Sequence, residues 1–294
     1  MHCVRLASAF LSLNSFARQL GVIGLAVLSV ACTETLDAGH NLAHDACASD
    51  DVGPSACPPV GLLDNLVGYW RLDDGVGSTV AYDSSGRNNE GALHDLDPST
   101  AWVAGRSQGA LEIAHTGWVR VAPSPSIDAI TDHVTLSAWV DLEGTINSTD
   151  GWGTALSRQT GTSTDQHYHI SLFMDGRPSL FLITEAGYAL IRAANPAPKG
   201  VWTHLAGVYD GAFARLYVNG QEVASQSLTG PFSPDITPVI LGGNDNDASG
   251  VPTELFPGRI DELMLYARAL TAPEVSELAA GALFPSRATD AGAD

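Results

Sequence analysis

The sequence predicts an all-β antiparallel sandwich with one short helix near its C-terminus, and three observations carry that prediction. Many short runs of β-branched and aromatic residues alternate with Gly, Pro, Asn and Asp turns. No helical periodicity of useful length interrupts them. Residues 201–223 hold three such runs, broken at Asp210-Gly211-Ala212 and at Asn219-Gly220. Asn-Gly is the strongest short-range hairpin signal, because both central residues of a type I′ turn need positive φ.

At 294 residues and 45% hydrophobic, the chain can bury one sandwich core with segments left over. Lys+Arg 14 against Asp+Glu 33 gives a net charge of -19, which repels phosphate backbones and anionic headgroups and excludes nucleic acid as a partner. Polyanions in general fit such a chain poorly. The acidic balance suits an exported protein, or one that meets Ca²⁺, whose hard charge takes oxygen ligands. It equally suits a plain solvated surface.

Taken in order, residues 1–31 carry Arg5 and Arg18, no acid, and an apolar run from Leu20 to Ala31, which fits a secretory signal and is short for a membrane span. Leu28-Ser29-Val30-Ala31-Cys32 resembles the lipobox of bacterial lipoproteins, with Leu28 one place too far from the cysteine. The resemblance implies lipidation at Cys32, a membrane contact through that anchor alone, and a place at the cell surface or periplasmic face. The alternative is ordinary cleavage that leaves Cys32 a thiol. Residues 32–62, rich in Ala, Asp, Pro, Gly and Ser, read as a tether. Cys47 and Cys57 are expected to form a local disulfide in an oxidising compartment; a zinc site with His40 and His44 is the alternative, without the usual tight ligand pairing.

The folded domain is expected over residues 63–283. Leu66 to Leu72 is a β-run followed by the turns 73–78 and 83–91, and residues 109–121 and 134–142 are further strands. Leu136, Ala138 and Val140 alternate with Thr135, Ser137 and Trp139, the period of a strand. Residues 144–161 read as a Gly/Thr/Ser-rich connection. Beyond it Tyr168, Ile170, Leu172 and Met174 take one side and His167, His169, Ser171 and Phe173 the other. Turns at 174–177 and 185–187 lead into strands 179–184 and 188–193, and residues 238–242 and 258–266 complete the set. Thr271 and Glu274 have capping-box spacing and Gly281 is placed to end that helix. The small, acidic tail 284–294 is expected to fray.

Five pieces also resemble, in order, the laminin-G-like jelly roll of the concanavalin A-like lectin/glucanase superfamily. They are Leu66-Val-Gly-Tyr-Trp-Arg-Leu-Asp73 with Asp83-Ser-Ser-Gly86, Leu136-Ser-Ala-Trp-Val140, residues 202–210, Leu216-Tyr-Val-Asn-Gly-Gln221, and Gly258-Arg-Ile-Asp-Glu262 with Tyr266-Ala-Arg-Ala-Leu270. The resemblance implies a two-sheet jelly roll. Such domains serve as lectins, adhesion modules, enzyme appendages and enzymes, so it carries no single function. The sequence holds no Glu-x-Asp-x-x-Glu or Glu-x-Asp-x-Glu strand, which would put paired carboxylates on one sheet face. The expected function is therefore an anchored, non-catalytic binding module for a glycan or a surface protein. The runner-up is a polysaccharide hydrolase or lyase whose catalytic pair spacing does not reveal.

Three groups of residues are candidate sites. Asp83, Asn88 and Asn89 with Asp261 make a possible structural Ca²⁺ site, since first and last strands of a jelly roll are neighbours; the alternative is an Asx-type turn and a cap. Asn244, Asp245, Asn246 and Asp247 form a second oxygen-rich run, with a solvated turn as its alternative. Phe213, Arg215 and Tyr217, outward beside the core residues Ala214, Leu216 and Val218, are expected to line a sugar-binding surface with His167 and His169 if the two strands curve together. Cross-strand packing is the alternative there. Trp139 and Trp202 are assigned to the core.

Overall fold

The computed structural model describes residues 61–159, 166–234, 236–245 and 249–283, with the backbone alone for residues 159, 166 and 167. The export signal, Cys32, the Cys47 and Cys57 pair, Asn246, Asp247, the His167 side chain and the tail 284–294 lie outside the described residues. The strands are β1 (Leu66–Trp70), β2 (Val80–Ala81), β3 (Gly91–His94), β4 (Trp102–Ser107), β5 (Gly109–Glu112), β6 (Trp118–Val121), β7 (Val134–Leu142), β8 (Trp152–Gln159), β9 (Gln166–Phe173), β10 (Pro178–Thr184), β11 (Gly187–Arg192), β12 (Thr203–Tyr209), β13 (Phe213–Val218), β14 (Gln221–Ser227), β15 (Val239–Leu241) and β16 (Gly258–Tyr266). Two helices join them, α1 (Pro125–Asp128) and α2 (Ala272–Ala279).

The strands form two antiparallel sheets. The first runs β14-β13-β12-β7-β16-β5-β4, with β1 also paired to β16; the second runs β11-β10-β9-β8-β15-β6-β3-β2. Period-2 alternation sends Leu136, Val140, Leu205, Leu216 and Ile260 inward from the first sheet to meet Val119, Leu156, Ile170, Leu180 and Leu241 from the second. The sheets pack closely: a Cβ added at Gly207 would lie 2.4 Å from a Leu180 methyl carbon of the facing sheet. The Asn219-Gly220 turn behaves as read, with both residues at positive φ and β13 paired to β14.

A second apolar cluster covers the outer face of the first sheet. Tyr69, Tyr217, Met264 and Tyr266 are buried there beneath Val275 and Leu278 of α2, and Leu62 joins them. The spacing of Thr271 and Glu274 has its expected effect. The Glu274 carboxylate accepts from Thr271 N at 2.7 Å and from Thr271 Oγ1 at 2.8 Å, and it pairs with Arg268 at 2.7 Å. Burial alone pushes this carboxyl up, but the Arg268 and Thr271 donors hold it at about 2. Gly281, at φ +83°, ends the helical segment as expected.

The structure corrects the sequence reading at several places. The single strand expected over 109–121 is two, β5 and β6, in different sheets; Ala114 and His115 at positive φ turn the chain between them. The supposed connection 144–161 contains β8, a central strand of the second sheet. Its Gly153, Thr154 and Ser157 break the apolar pattern. Strands β2, β3 and β4 and the short α1 add to the set. Trp139 is buried but faces away from the inter-sheet core, its ring 4.6 Å from the Arg106 guanidinium. Strand β14 is an edge whose side chains are nearly all exposed, and it lies beside the other sheet's edge β11, with Gln226 Nε2 donating to Tyr188 O at 3.2 Å. Because Leu216 is fully buried between the sheets, Leu216→Ala should destabilise the domain by about 2–5 kcal/mol in urea-melting experiments.

Candidate functional site

The sequence-predicted ligand residues fall on opposite sides of the molecule. Phe213, Arg215 and Tyr217 sit on β13 of the first sheet, whereas His169 and the backbone of His167 belong to β9 of the second, so they form no common surface. Tyr217 is also not free. It is 3% exposed beneath α2, and its hydroxyl donates to Glu222 at 3.3 Å. Arg215 pairs with Asp210 at 2.6 Å and lies 3.8 Å from Glu222, with its guanidinium 5.2 Å from the exposed Phe213 ring. The outward side of β13 is thus packing and ion pairing.

The oxygen-rich loops behave differently from one another. Asp83 accepts from the backbone N–H groups of Tyr69, Ser85 and Asn89 at 2.8–2.9 Å and from Ser85 Oγ at 2.7 Å, which is the Asx-turn arrangement. Asn89 is buried and donates to Val67 O and Ser126 Oγ, while Asn88 is exposed at positive φ. Asp261 Oδ2 accepts from Arg106 N at 2.8 Å and Ser107 N at 3.1 Å. Asp83 and Asp261 thus each accept from their own set of backbone groups. Asn244 donates to Glu254 at 2.8 Å and Asp245 accepts from Gly250 N at 2.9 Å. Among the described residues no three His, Cys, Asp or Glu side chains gather closely enough to hold a metal.

Beneath the first sheet's outer surface runs a buried polar seam. Asp261 and Glu262 are fully buried at a bulge in β16, where Glu262 takes φ +51° and accepts a hydrogen bond from the Tyr69 hydroxyl. Burial raises Asp261 to about 7 and Glu262 to about 8, so both carboxyls hold protons far above the ordinary range. Alongside, Ser137 Oγ lies 2.9 Å from His204 Nε2, both buried, and burial lowers the His204 ring to about 3.

The outer face of the second sheet is where side chains meet solvent in an organised way. Register sets Trp152 opposite Phe173, His169 opposite Phe181, and Ile183 opposite Tyr188. The rings form a continuous patch: Trp152–Phe173 at 4.8 Å edge-on, Trp152–His169 at 5.4 Å, His169–Phe181 at 5.2 Å and Phe181–Tyr188 at 6.3 Å. Arg192 lies over Phe173 at 3.5 Å and over Trp152 at 4.9 Å. Tyr188 is 65% exposed, Trp152, Phe173 and Phe181 are half-buried, and His169 forms the floor at 4%. His169 has a hydrogen-bond partner on neither ring nitrogen, and burial lowers it to about 3. Gly243 and Glu254 meet the polar residues of β8. Ser157 Oγ donates to Gly243 O at 2.9 Å and Thr154 N to Glu254 O at 3.1 Å.

Sequence reasoning placed His169 and Phe173 together on one side of their strand but did not bring Trp152, Phe181, Tyr188 and Arg192 to that face. The signal was present in the turns. The 174–177 and 185–187 hairpins fix the register of β9, β10 and β11, and carrying the alternation across them places these rings on one face.

Two antiparallel sheets packed face to face, one covered in part by a helix and the other bearing exposed rings, define a jelly-roll type of β-sandwich. The family model described as the concanavalin A-like lectin/glucanases superfamily matches residues 114–276, more than half of the chain, and this chain belongs to that family. No curated protein matches the sequence. Among solved structures, domain 4 of AbnA, a GH43 extracellular arabinanase from Geobacillus stearothermophilus solved with arabinotriose, is 25% identical with a TM-score of 0.54, over 73% of this chain and 98% of that one. The binding domain of Paraclostridial Mosquitocidal Protein 1 shares the fold at 22% identity and TM-score 0.55, and this chain spans 52% of its length. The binding domain of botulinum neurotoxin DC in complex with SialylT shares it at 13% identity and TM-score 0.55, again over 52% of that chain.

The buried titratable groups set opposite pH limits. The two histidines, lowered from 6.5 to about 3, contribute stability above pH 6.5 that is lost as pH falls toward 3. Asp261 and Glu262, raised to about 7 and 8, contribute stability below the ordinary carboxyl range that is lost as pH rises through those values. The melting temperature should therefore fall from about pH 6 to about pH 9 and fall again below about pH 4. Glu262→Gln, which still accepts from Tyr69, should flatten the alkaline limb.

Proposed function

We propose that this protein is a non-catalytic carbohydrate-binding module whose site is the aromatic outer face of β8–β11. The observation that carries the reading is the ring patch of Trp152, Phe173, Phe181 and Tyr188 on a sheet left open to solvent, while the opposite sheet is covered by α2. Sugar rings present C–H faces that stack on aromatic planes and hydroxyls that bond to flanking polar groups, so a ridge of half-buried rings supplies area with few rotamers to order. The arabinotriose complex of the 25% identical arabinanase domain supports a glycan as the ligand class. The absence of a paired-carboxylate strand motif supports binding without turnover.

In this reading the module works outside the cytoplasm, held by a lipid at Cys32 and the tether that follows. Mass spectrometry of the mature N-terminus should show acylated Cys32; an unmodified Cys32 refutes the anchor. For the site, the full chain should bind at least one member of a panel of arabinan, xylan, glucan and host-type oligosaccharides. Tyr188→Ala and Trp152→Ala should each weaken that binding roughly ten-fold, about 1.4 kcal/mol, while Arg215→Ala on the other sheet leaves it unchanged. Loss with Arg215→Ala and none with the two ring variants would move the site off this face.

A further inference from the structure

We infer that the glycan recognised by this face carries an isolated carboxylate, as a hexuronate or sialate residue does, and that Arg192 receives it. The inference rests on the glycan-binding reading and gives it a substrate class.

The argument starts from how this chain disposes of its arginines. Acids outnumber basic residues 33 to 14, so a cation has carboxylates available in most directions. Arg71, Arg158, Arg177, Arg215, Arg259 and Arg268 each hold one at 2.5–2.8 Å. Arg192 is half-buried in the same way yet holds none at ion-pair distance, since the nearby Asp175 is paired with Arg177, and its side chain makes no hydrogen bond. It stands instead at the Trp152–Phe173 end of the ring patch, its guanidinium 3.5 Å from the Phe173 ring centre and 4.9 Å from that of Trp152. Its Nε is buried without a partner.

Packing against the Phe173 and Trp152 rings restricts the guanidinium and strips water from the side that faces them, which lowers the entropy and desolvation cost of receiving a planar anion on its open side. A carboxylate matches the donor fork in two parallel bonds, and a charge-assisted pair of this kind is roughly twice as strong as a neutral one. The overall charge of -19 decides the form of the ligand. Repulsion from the acidic surface is screened beyond a Debye length of about 8 Å at physiological salt, so it penalises an extended polyanion but hardly a neutral chain with one acid seated on Arg192. Arg120, also half-buried on this sheet and without an ion pair, is on β6, five strands from β11 and hence about 24 Å away, too far to share one sugar.

The test compares matched ligands on the full chain. Oligosaccharides bearing one galacturonate, glucuronate or sialate residue are arrayed beside the methyl ester of each same compound and beside neutral arabinan and xylan fragments. At least one free acid should bind about ten-fold more tightly than its own ester, with the difference shrinking at high salt. Arg192→Gln should bring the acid down to the affinity of the ester, and Arg192→Lys should keep part of the preference. Equal binding of acid and ester by the wild-type chain would overturn the carboxylate inference while leaving the glycan reading standing, whether or not either variant folds. An acid preference that survives Arg192→Gln would also overturn it. No binding to any sugar, acid, ester or neutral, would remove the glycan reading itself.

Discussion

Pairing between the start and the end of the domain holds this fold together. Strand β16 takes β7 along most of its length, β5 at its beginning and β1 at its end, so residues about two hundred apart in sequence share one ladder. Closing so long a loop is entropically costly, though the cost grows only slowly with length. What offsets it is burial on both faces at once. Inward, Ile260, Leu263 and Leu265 enter the sandwich core; outward, Met264 and Tyr266 lie under α2. The bulge at Asp261–Met264 shifts the strand between its two sets of partners, and the buried Glu262 carboxyl at that bulge is neutralised by a proton and bonded by Tyr69.

From that centre the two sheets diverge in use. The first has its outer side occupied by α2, by the Arg215 and Arg259 ion pairs and by the buried Ser137–His204 pair, and it presents little that a ligand could reach. The second is divided. Toward β8 Gly243 and Glu254 bond its polar residues, and toward β11 the aromatic side chains stay open. The proposed site is thus the stretch of sheet that no described element covers.

Much of this was legible in the sequence because it follows from local rules. Asn219-Gly220, the alternation of 134–142 and 167–174, and the Thr271–Glu274 spacing each gave a local feature that the fold contains. Tyr217 shows where such rules stop. Alternation placed it correctly away from the inter-sheet core, but nothing local to β13 says that a helix fifty-odd residues later returns to bury that face. Strand β8 was lost for the related reason that Thr154 and Ser157 look like loop residues, and their polar groups are satisfied by Glu254 and Gly243, which are far away in sequence. Joining β9 and β13 into one surface failed because alternation assigns a side of a strand and is silent on which sheet the strand enters. The ring patch needed three hairpin-linked strands to be registered together.

The position of Leu62 beside Leu278 has a consequence for orientation in space. The described domain begins and ends on the helix-covered side, where Arg268 also bonds Gly61 O and Tyr69 reaches the Leu283 carbonyl. Chain attached at either boundary joins the sandwich at its back. The aromatic sheet is the front, two strand layers away, and stacked sheets lie about 10 Å apart. On the proposed reading, a domain mounted from that side would turn its aromatic sheet away from the support.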